Sequence, residues 1–517
     1  MSSTKHSSPH ADSQAETINF LKSLAPTVIE THISLVFLDQ QHAYKLKKAI
    51  TLPFVDFSQI AQRRHYCEEE LKLNRRTAPD IYLEVLTIYR NTEGKLSFKA
   101  NKGSEIVDAV LKMQRFDSDN LLSKLAQQKQ LTQKMMTDLA HGLANFHQQA
   151  AVSTVQQGAK LISDIIELNQ QSEETVNQVL GHKKMSELNQ LLIKDIQQHS
   201  TILNTRAANG KVRHCHGDLH LNNICLWHQV PTPFDCLEFN QSMATTDVLY
   251  DLAFLLMDLW HYQQYDLTNW LMNRYMEQND ESDGLVLLPL FMSLRASIRA
   301  MVIATQAAHT SATTAAKKYR RQAEDFLTLA FSLLKRPKAQ LVAIGGLSGS
   351  GKSTLATAIA PYIGTAPGAL VLSTDRIRKK LFNVSSEEKL PADTYTKANS
   401  QLVYRIQSEL STRILQTGHS AIADGVFSKE WERKTIGQSA QSAQTTFKGI
   451  WLESPPNMLM KRVANRKNDP SDATVEVVEK QLQIEYGAIN WQRLNSNQHP
   501  ENLTCQALSV VKGHWPW

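Results

Sequence analysis

Two short stretches of this chain concentrate the side chains that can do chemistry. The first runs His214-Cys-His216-Gly217-Asp218-Leu219-His220-Leu-Asn-Asn223, followed by Phe234-Asp235-Cys236-Leu237-Glu238-Phe239. An Asp and an Asn five residues apart, with another Asp 17 residues on after a short hairpin, fit three separate jobs in phosphoryl transfer. Asp218 would position and deprotonate an acceptor hydroxyl, Asn223 would hold one Mg²⁺, and Asp235 would hold the metal that bridges ATP phosphates. The competing chemistry is a zinc cluster of His214, His216 and His220. Their spacings of two and four lie in an irregular stretch without a helical H-E-x-x-H pattern.

The second stretch, LVAIGGLSGSGKSTLATAIA, contains Gly346, Ser348, Gly349, Ser350, Gly351, Lys352, Ser353 and Thr354 in the full pattern G-x-x-x-x-G-K-[ST]. An apolar strand precedes it and an apolar-periodic helix follows, the context this pattern requires. Glycines let backbone N–H groups turn inward as an anion nest at a helix N-terminus. Lys352 can reach the β- and γ-phosphates, and the Ser353 hydroxyl can ligate Mg²⁺. Further strands end in Ser373-Thr374-Asp375 and Ala423-Asp424, at the strand ends where open parallel sheets bind ligands. Arg462 and Arg466 are four apart on one helical face near Ser471-Asp472-Ala473; they could clamp a transferred phosphoryl group or form a solvated face.

A third group lies near the N-terminus. In Ala43-Tyr44-Lys45-Leu46-Lys47-Lys48 a strand puts Lys45 and Lys47 on one face, so either could grip the α- and β-phosphates. The expected carboxylate partner lies on the following helix, where Glu68, Glu69 and Glu70 are candidates and Glu70 is favoured. The alternative is a basic edge strand beside an acidic helix.

These residues need elements to hold them. Residues 1–15 read as a disordered tail. The segment from Thr31 alternates as two strands joined by a polar turn at Asp39–Gln41, and a helix over Ser58–Thr77 precedes strands at Tyr82–Tyr89 and Ile106–Met113. Helical patterns fill Ser118–Leu203 and Leu249–Leu334 around an irregular Val212–Asn240. At Lys335-Arg336-Pro337-Lys338 the composition shifts to apolar strands alternating with helices, the mark of a parallel α/β sheet. The expected domains are 16–337, with lobes at about 16–115 and 116–337, and 338–517.

Composition bounds the partners. At 517 residues the chain exceeds one core. Its net charge of +6 falls within residues 338–517, since 1–337 hold equal numbers of acidic and basic residues. That imbalance is too mild for general nucleic-acid binding but suits small polyanions. Five cysteines without metal-type spacing, a polar N-terminus, and an apolar run at Leu252–Met257 too short to span a bilayer lead us to expect a cytoplasmic protein without membrane contact.

The stretches GGLSGSGKST, LSTDRIRKKL, AIADGVF and RVANR…SDAT resemble the small P-loop kinases of metabolites, which include gluconate kinase and adenylylsulfate kinase. That resemblance implies Asp375 as the hydroxyl ligand or base, Asp424 as a Mg²⁺ partner, and Arg462 and Arg466 as lid arginines. The segment around HGDLHLNN closely resembles the loop of aminoglycoside phosphotransferases and choline-kinase-like proteins. It implies an α+β, two-lobed, protein-kinase-like fold, with Asp218 as base, Asn223 and Asp235 as Mg²⁺ ligands, Asp251 as a brace and Val110–Met113 as the adenine-lining hinge. One departure is that residues 31–42 lack glycine, so no Gly-rich flap is present. ETHISLVFLDQQHAYKLKKA with CEEELKLNRR makes the whole order similar to a bacterial fusion of an aminoglycoside phosphotransferase domain with an AAA-type P-loop kinase domain. The implied activity is ATP·Mg²⁺-dependent phosphorylation of small hydroxyl compounds at two sites. The alternative is a regulatory protein in which one domain senses nucleotide or ligand and only the other is catalytic.

Overall fold

Alternation of apolar and polar side chains over Ser34–Lys47 produces two faces, and the fold uses both. The computed structural model describes residues 14–52, 55–170, 173–385, 388–466 and 471–512. Strands β1 (Thr27–Glu30), β2 (Ser34–Leu38), β3 (His42–Lys47), β4 (Tyr82–Arg90), β5 (Leu96–Ser97) and β6 (Glu105–Gln114) form an antiparallel sheet in the order β1-β2-β3-β6-β4-β5. One face, with Phe37, Tyr44, Leu46 and Val110, packs on Leu21 of helix α1 (Ala15–Leu24). The other, with Tyr82 and Leu111, packs on Cys67 of helix α2 (Ile60–Asn74). Lys45 and Lys47 therefore project toward α2, as their spacing from Tyr44 and Leu46 requires. A buried bidentate pair, Arg63 Nε to Asp108 Oδ1 at 2.9 Å and Nη2 to Oδ2 at 3.1 Å, fastens α2 to β6.

Two sequence expectations change here. Residues 1–13 of the expected tail lie outside the described residues, but Gln14 is buried and bonded to Lys47 O, Asp108 Oδ2 and Ala49 N, and α1 begins at Ala15. Val110–Met113 is not a connecting hinge. It lies inside β6, paired on one side with β3 (Lys45 opposite Leu111) and on the other with β4. The chain leaves the sheet only after Gln114.

Residues 212–240, expected to be irregular apart from a short hairpin before Asp235, contain that hairpin as β8 (Ile224–Trp227) with β9 (Val230–Pro233), and also β7 (Val212–His214). Strand β10 (Thr245–Asp247) pairs with β7 and leads into helix α4 (Val248–His261), whose Asp251 meets His147 of helix α3 (Gln133–Gln149).

The later residues form a parallel sheet of β11 (Gln340–Gly346), β12 (Leu370–Ser373), β13 (Ala421–Asp424), β14 (Thr446–Glu453) and β15 (Gln492–Asn495), in the order β12-β13-β11-β14-β15. β15 escaped the sequence reading because only Leu494 of its four residues is buried. Val342, Ile344, Ile422 and Ile450 form the centre of its core, against Leu355 and Ile359 of the helix that follows β11.

The contacts divide the chain differently from the composition shift at 337/338. One compact unit holds residues up to Leu161 plus Asn204–Asp258, and the other holds Ile162–Leu203 plus everything from Leu259. Helices α5 (Tyr265–Gln278), α6 (Leu288–His309) and α7 (Thr313–Leu333) thus belong with the parallel sheet. The stretch Ser282–His309 is long and apolar enough to cross a membrane, but 83% of its apolar window is buried against other helices, as a core helix would be.

Candidate active sites

In the first unit, a loop with three backbone anchors carries Asp218. Gly217 sits at φ +85°, where a Cβ would approach Leu237 Cβ at 3.0 Å and Ala244 at 3.2 Å, so this turn favours glycine. Buried Asp251 on α4 accepts from the backbone N–H groups of Gly217 (2.8 Å) and His216 (3.2 Å) and meets His147 Nε2 at 3.1 Å. Asp258, two turns on, accepts from Leu221 N at 3.0 Å. Asn223 donates its amide to Asp218 Oδ2 (2.9 Å) and O (3.0 Å), so its amide oxygen, not its nitrogen, is the atom that could ligate a cation. The Asp218 carboxylate remains about 44% exposed, open to an incoming hydroxyl.

The three histidines go to separate tasks. His216 Nε2 bonds Phe234 O at 3.0 Å, His220 Nδ1 accepts from Asn222 N and its Nε2 lies 3.4 Å from Asp218 Oδ2, while His214 continues β7. Among the described residues, the group with ligand atoms close enough to share a metal is instead His147, Cys215 and Asp251, the buried brace beneath the loop.

The geometry separates the two lysines. Lys45 Nζ lies 2.7 Å from Glu70 Oε1 and 2.6 Å from Asp235 Oδ1. Lys47, fully buried, lies 2.8 Å from Glu70 Oε2 and pairs with Glu238 Oε1. The result is a ladder of alternating charge: Asp235, Lys45, Glu70, Lys47, Glu238. Burial opposes the charge on both lysines, but the carboxylates outweigh it and raise both pKa values, Asp235 and Glu70 acting on Lys45 and Glu238 and Glu70 on Lys47. Burial likewise opposes the Glu70 carboxylate, and the two ammonium groups overcome it and depress its pKa. Asp235 is the member at the exposed edge, and Lys45, not Lys47, is the lysine beside it. Glu238 was absent from the sequence-derived site; its signal was an acidic residue in the apolar run FDCLEF, three after Asp235. Asp235 takes φ +63° and is pinned by Tyr82 Oη accepting from its N–H at 3.0 Å.

In the second unit, the phosphate loop joins β11 to helix α8 (Lys352–Ile359). Gly346, Gly349 and Gly351 all have positive φ. At Gly349 a Cβ would lie 2.6 Å from Leu459 O, so any side chain would push the loop off helix α12 (Pro456–Ala464). Ser350 is buried, with N donating to Leu347 O, and Lys352 Nζ rests on Leu347 O at 3.1 Å. Ser353 and Thr354 are exposed in the first turn of α8. Ser353 Oγ donates to Asp424 Oδ2 at 2.7 Å, which unites a hydroxyl and a buried carboxylate from adjacent strand ends, the donor set a Mg²⁺ ion takes.

Asp375 opens helix α9 (Thr374–Leu381) directly after β12. Burial raises its pKa, with Lys352, a hydrogen bond from Ser471, Arg378 and Arg466 pulling the other way. Arg466 thus lies within electrostatic range of the candidate base, whereas Arg462 does not point there: it bonds Ser496 O at 2.9 Å and Gly349 O at 3.4 Å, and so fastens the loop to β15's end. Two glutamines were missed. Gln407 Nε2 ties Leu372 O (2.6 Å) to Asp424 O (3.0 Å), and Gln481 on helix α13 (Val475–Leu482) makes a two-point contact with Ser348, accepting from N at 2.8 Å and donating to Oγ at 3.1 Å.

Residues 341–484 match the family model described as AAA domain. The chain is 25% identical to the uncharacterized protein Rv2004c of Mycobacterium tuberculosis strain H37Rv over 458 residues, 87% of this chain and 88% of that protein. It matches the uncharacterized protein Mb2027c of Mycobacterium bovis equally. Solved structures similar to parts of it include the Mycobacterium tuberculosis APS kinase CysC (19% identity, 34% of this chain and 99% of that one, TM-score 0.27). Choline kinase from Cryptosporidium parvum is another (10% identity, 61% and 94%, TM-score 0.39). In chain order, then, a six-stranded antiparallel sheet comes before a parallel α/β fold whose residues 341–484, phosphate loop included, match the AAA-domain model.

Proposed function

We propose that this protein is an ATP-dependent phosphotransferase with two nucleotide sites, each moving the γ-phosphoryl group to a hydroxyl of a small molecule. The observation that carries the reading is the joining of Lys45 to both Glu70 and Asp235 in the unit that also holds Asp218 against Asn223. Lys45 is placed to grip phosphates once Asp235 turns to a metal. Asn223 and Asp235 would hold Mg²⁺ there, and Ser353 and Asp424 would hold it in the second unit. Bound Mg²⁺ supplies charge neutralisation on the phosphates.

The chain's own residues do the rest. Asp218 Oδ2, fixed by the Asn223 amide, orients the acceptor hydroxyl and takes its proton as the hydroxyl oxygen bonds the γ-phosphorus and the bond from that phosphorus to the β-phosphate oxygen breaks, releasing ADP. In the P-loop unit Asp375 plays that part, its raised pKa making the carboxylate a stronger base at neutral pH. Lys352 and Arg466 stand near it to balance charge on the transferred group.

The test is ADP release from the full-length protein over a panel of small hydroxyl compounds, with Asp218→Ala and Lys352→Ala as controls. Each substitution should abolish one activity and leave the other. If neither changes any turnover, the two-site reading fails.

A further inference from the structure

Four polar residues of α5, Asp266, Asn269, Asn273 and Glu277, stand at spacings of three, four and four that align them on one helical face. Such a stripe ordinarily faces water. Here each member bonds into the P-loop fold within the same compact unit. Asp266 shares a hydrogen bond with Tyr362. Asn269 Nδ2 donates to Pro367 O at 3.0 Å and Ala369 O at 3.1 Å. Asn273 Oδ1 accepts from Val371 N at 2.7 Å. Glu277 Oε2 meets Arg376 Nη1 at 2.7 Å while its Oε1 meets Arg274 Nη2 at 2.7 Å, and its carbonyl accepts from Lys380 Nζ at 3.1 Å.

The order of these contacts follows the P-loop domain's own chain: the approach to β12, β12 itself, then α9. β12 is the edge strand of the parallel sheet, and Asn269 and Asn273, both almost wholly buried, supply side-chain partners where a neighbouring strand would supply backbone. Arg376, clamped by Glu277, directly follows Asp375.

We infer that α5 is a positioning element of the P-loop centre, with Asn273 setting the edge strand and Glu277 setting the first turn of α9, so that Asp375 is held by a helix lying outside the sequence-defined domain. This rests on Asp375 acting as the base of the P-loop site. None of the α5 residues touches the phosphate loop itself in the contacts above, so the inference separates two kinetic quantities. Loss of the stripe should misplace the base and lower kcat, and leave nucleotide binding by residues 346–354 in place.

The experiment uses full-length protein carrying Asp218→Asn to silence the first unit, with Mg·ATP hydrolysis, water as acceptor, as the readout. Asn273→Leu and Glu277→Ala should each lower kcat about 10- to 100-fold, the scale of a small misplacement of a catalytic group, with KM for ATP changed less than about 2-fold. Arg376→Lys, which keeps the charge and loses the forked contact, should fall between them and the parent. Should either α5 variant not fold, Arg376→Lys and Arg376→Ala give the same series from the opposite partner. Unchanged kcat in these variants, while Lys352→Ala abolishes hydrolysis, overturns the inference and leaves the P-loop reading standing. A fall in melting temperature with kcat unchanged well below it assigns α5 a merely structural role and also overturns it. Hydrolysis that survives Lys352→Ala overturns the reading and the inference together.

Discussion

Lys45 and Asp235, 190 residues apart in sequence, meet at 2.6 Å. Lys47, two residues along the same strand, never reaches that position because Glu238 and Glu70 enclose it. The two lysines share a face but differ in depth, and this difference predicts opposite phenotypes. Lys45→Met should lower first-unit turnover by about 100-fold or more, as expected on losing a charged group at a developing charge, with a modest effect on stability. Lys47→Met leaves two buried carboxylates with one counter-ion fewer and should cost about 3–5 kcal/mol of stability. Urea unfolding of each variant beside its turnover gives the comparison; wild-type stability in Lys47→Met would refute the assignment.

Asn223 presents its nitrogen to Asp218, and its oxygen is the atom with which an amide ligates a metal. Asn223→Ala should therefore raise the Mg²⁺ concentration giving half-maximal turnover by at least about 10-fold, and should also loosen Asp218. A magnesium titration of the activity that depends on Asp218 measures the first effect, and an unshifted midpoint removes Asn223 from the metal site.

Gln481 bonds Ser348 at two points, and Leu347 packs with Leu459, Val463 and Val478 beside it. The phosphate loop is thereby joined to the helix Pro456–Ala464, which carries Arg462, and to the helix Val475–Leu482. Gln481→Ala removes two hydrogen bonds of about 1 kcal/mol each at most, and KM for ATP at the P-loop site should rise about 5- to 20-fold. Steady-state kinetics in the Asp218→Asn background decides; an unchanged KM for ATP contradicts it.

His419, at the turn into β13, is 1% exposed, and burial pushes its pKa down to about 4. The folded protein holds this imidazole neutral while the unfolded chain protonates it near its ordinary value of 6.5. The unfolded state thus binds more protons between those values, so stability is full above pH 6.5 and falls as pH drops toward 4, by about 3 kcal/mol in all. His419→Leu should flatten this part of the stability profile of the second unit, and denaturation midpoints from pH 7 to pH 4.5 would show whether it does.

The phosphate loop was legible because its chemistry lies within eight consecutive residues, and its strand and helix context is local as well. Strand faces were legible for the same reason: period-2 alternation put Lys45 and Lys47 together. Depth was not, since choosing between them depends on Glu238, almost 200 residues away. Spacing put Arg462 and Arg466 on one helical face, but the helix ends at Ala464 and Arg466 lies beyond it: one serves Ser496 and Gly349 and the other lies near Asp375. The domain boundary followed the composition shift, whereas the packing follows α5, whose polar stripe has the same pattern as a solvated surface. Val110–Met113 was assigned by resemblance as the hinge and lies instead in a strand paired on both sides.

The asparagines of α5 also bear on how the protein stays dispersed. A parallel sheet whose outermost strand offered Ala369 O and Val371 N to solvent would be a template for pairing with another molecule. Here both groups are already bonded by side chains that cannot propagate a ladder. At the opposite border, β15 is only four residues long and largely polar. A fragment starting at Lys338 would uncover the first border and should self-associate at concentrations where the whole chain stays monodisperse, a difference that light scattering at matched concentration would register.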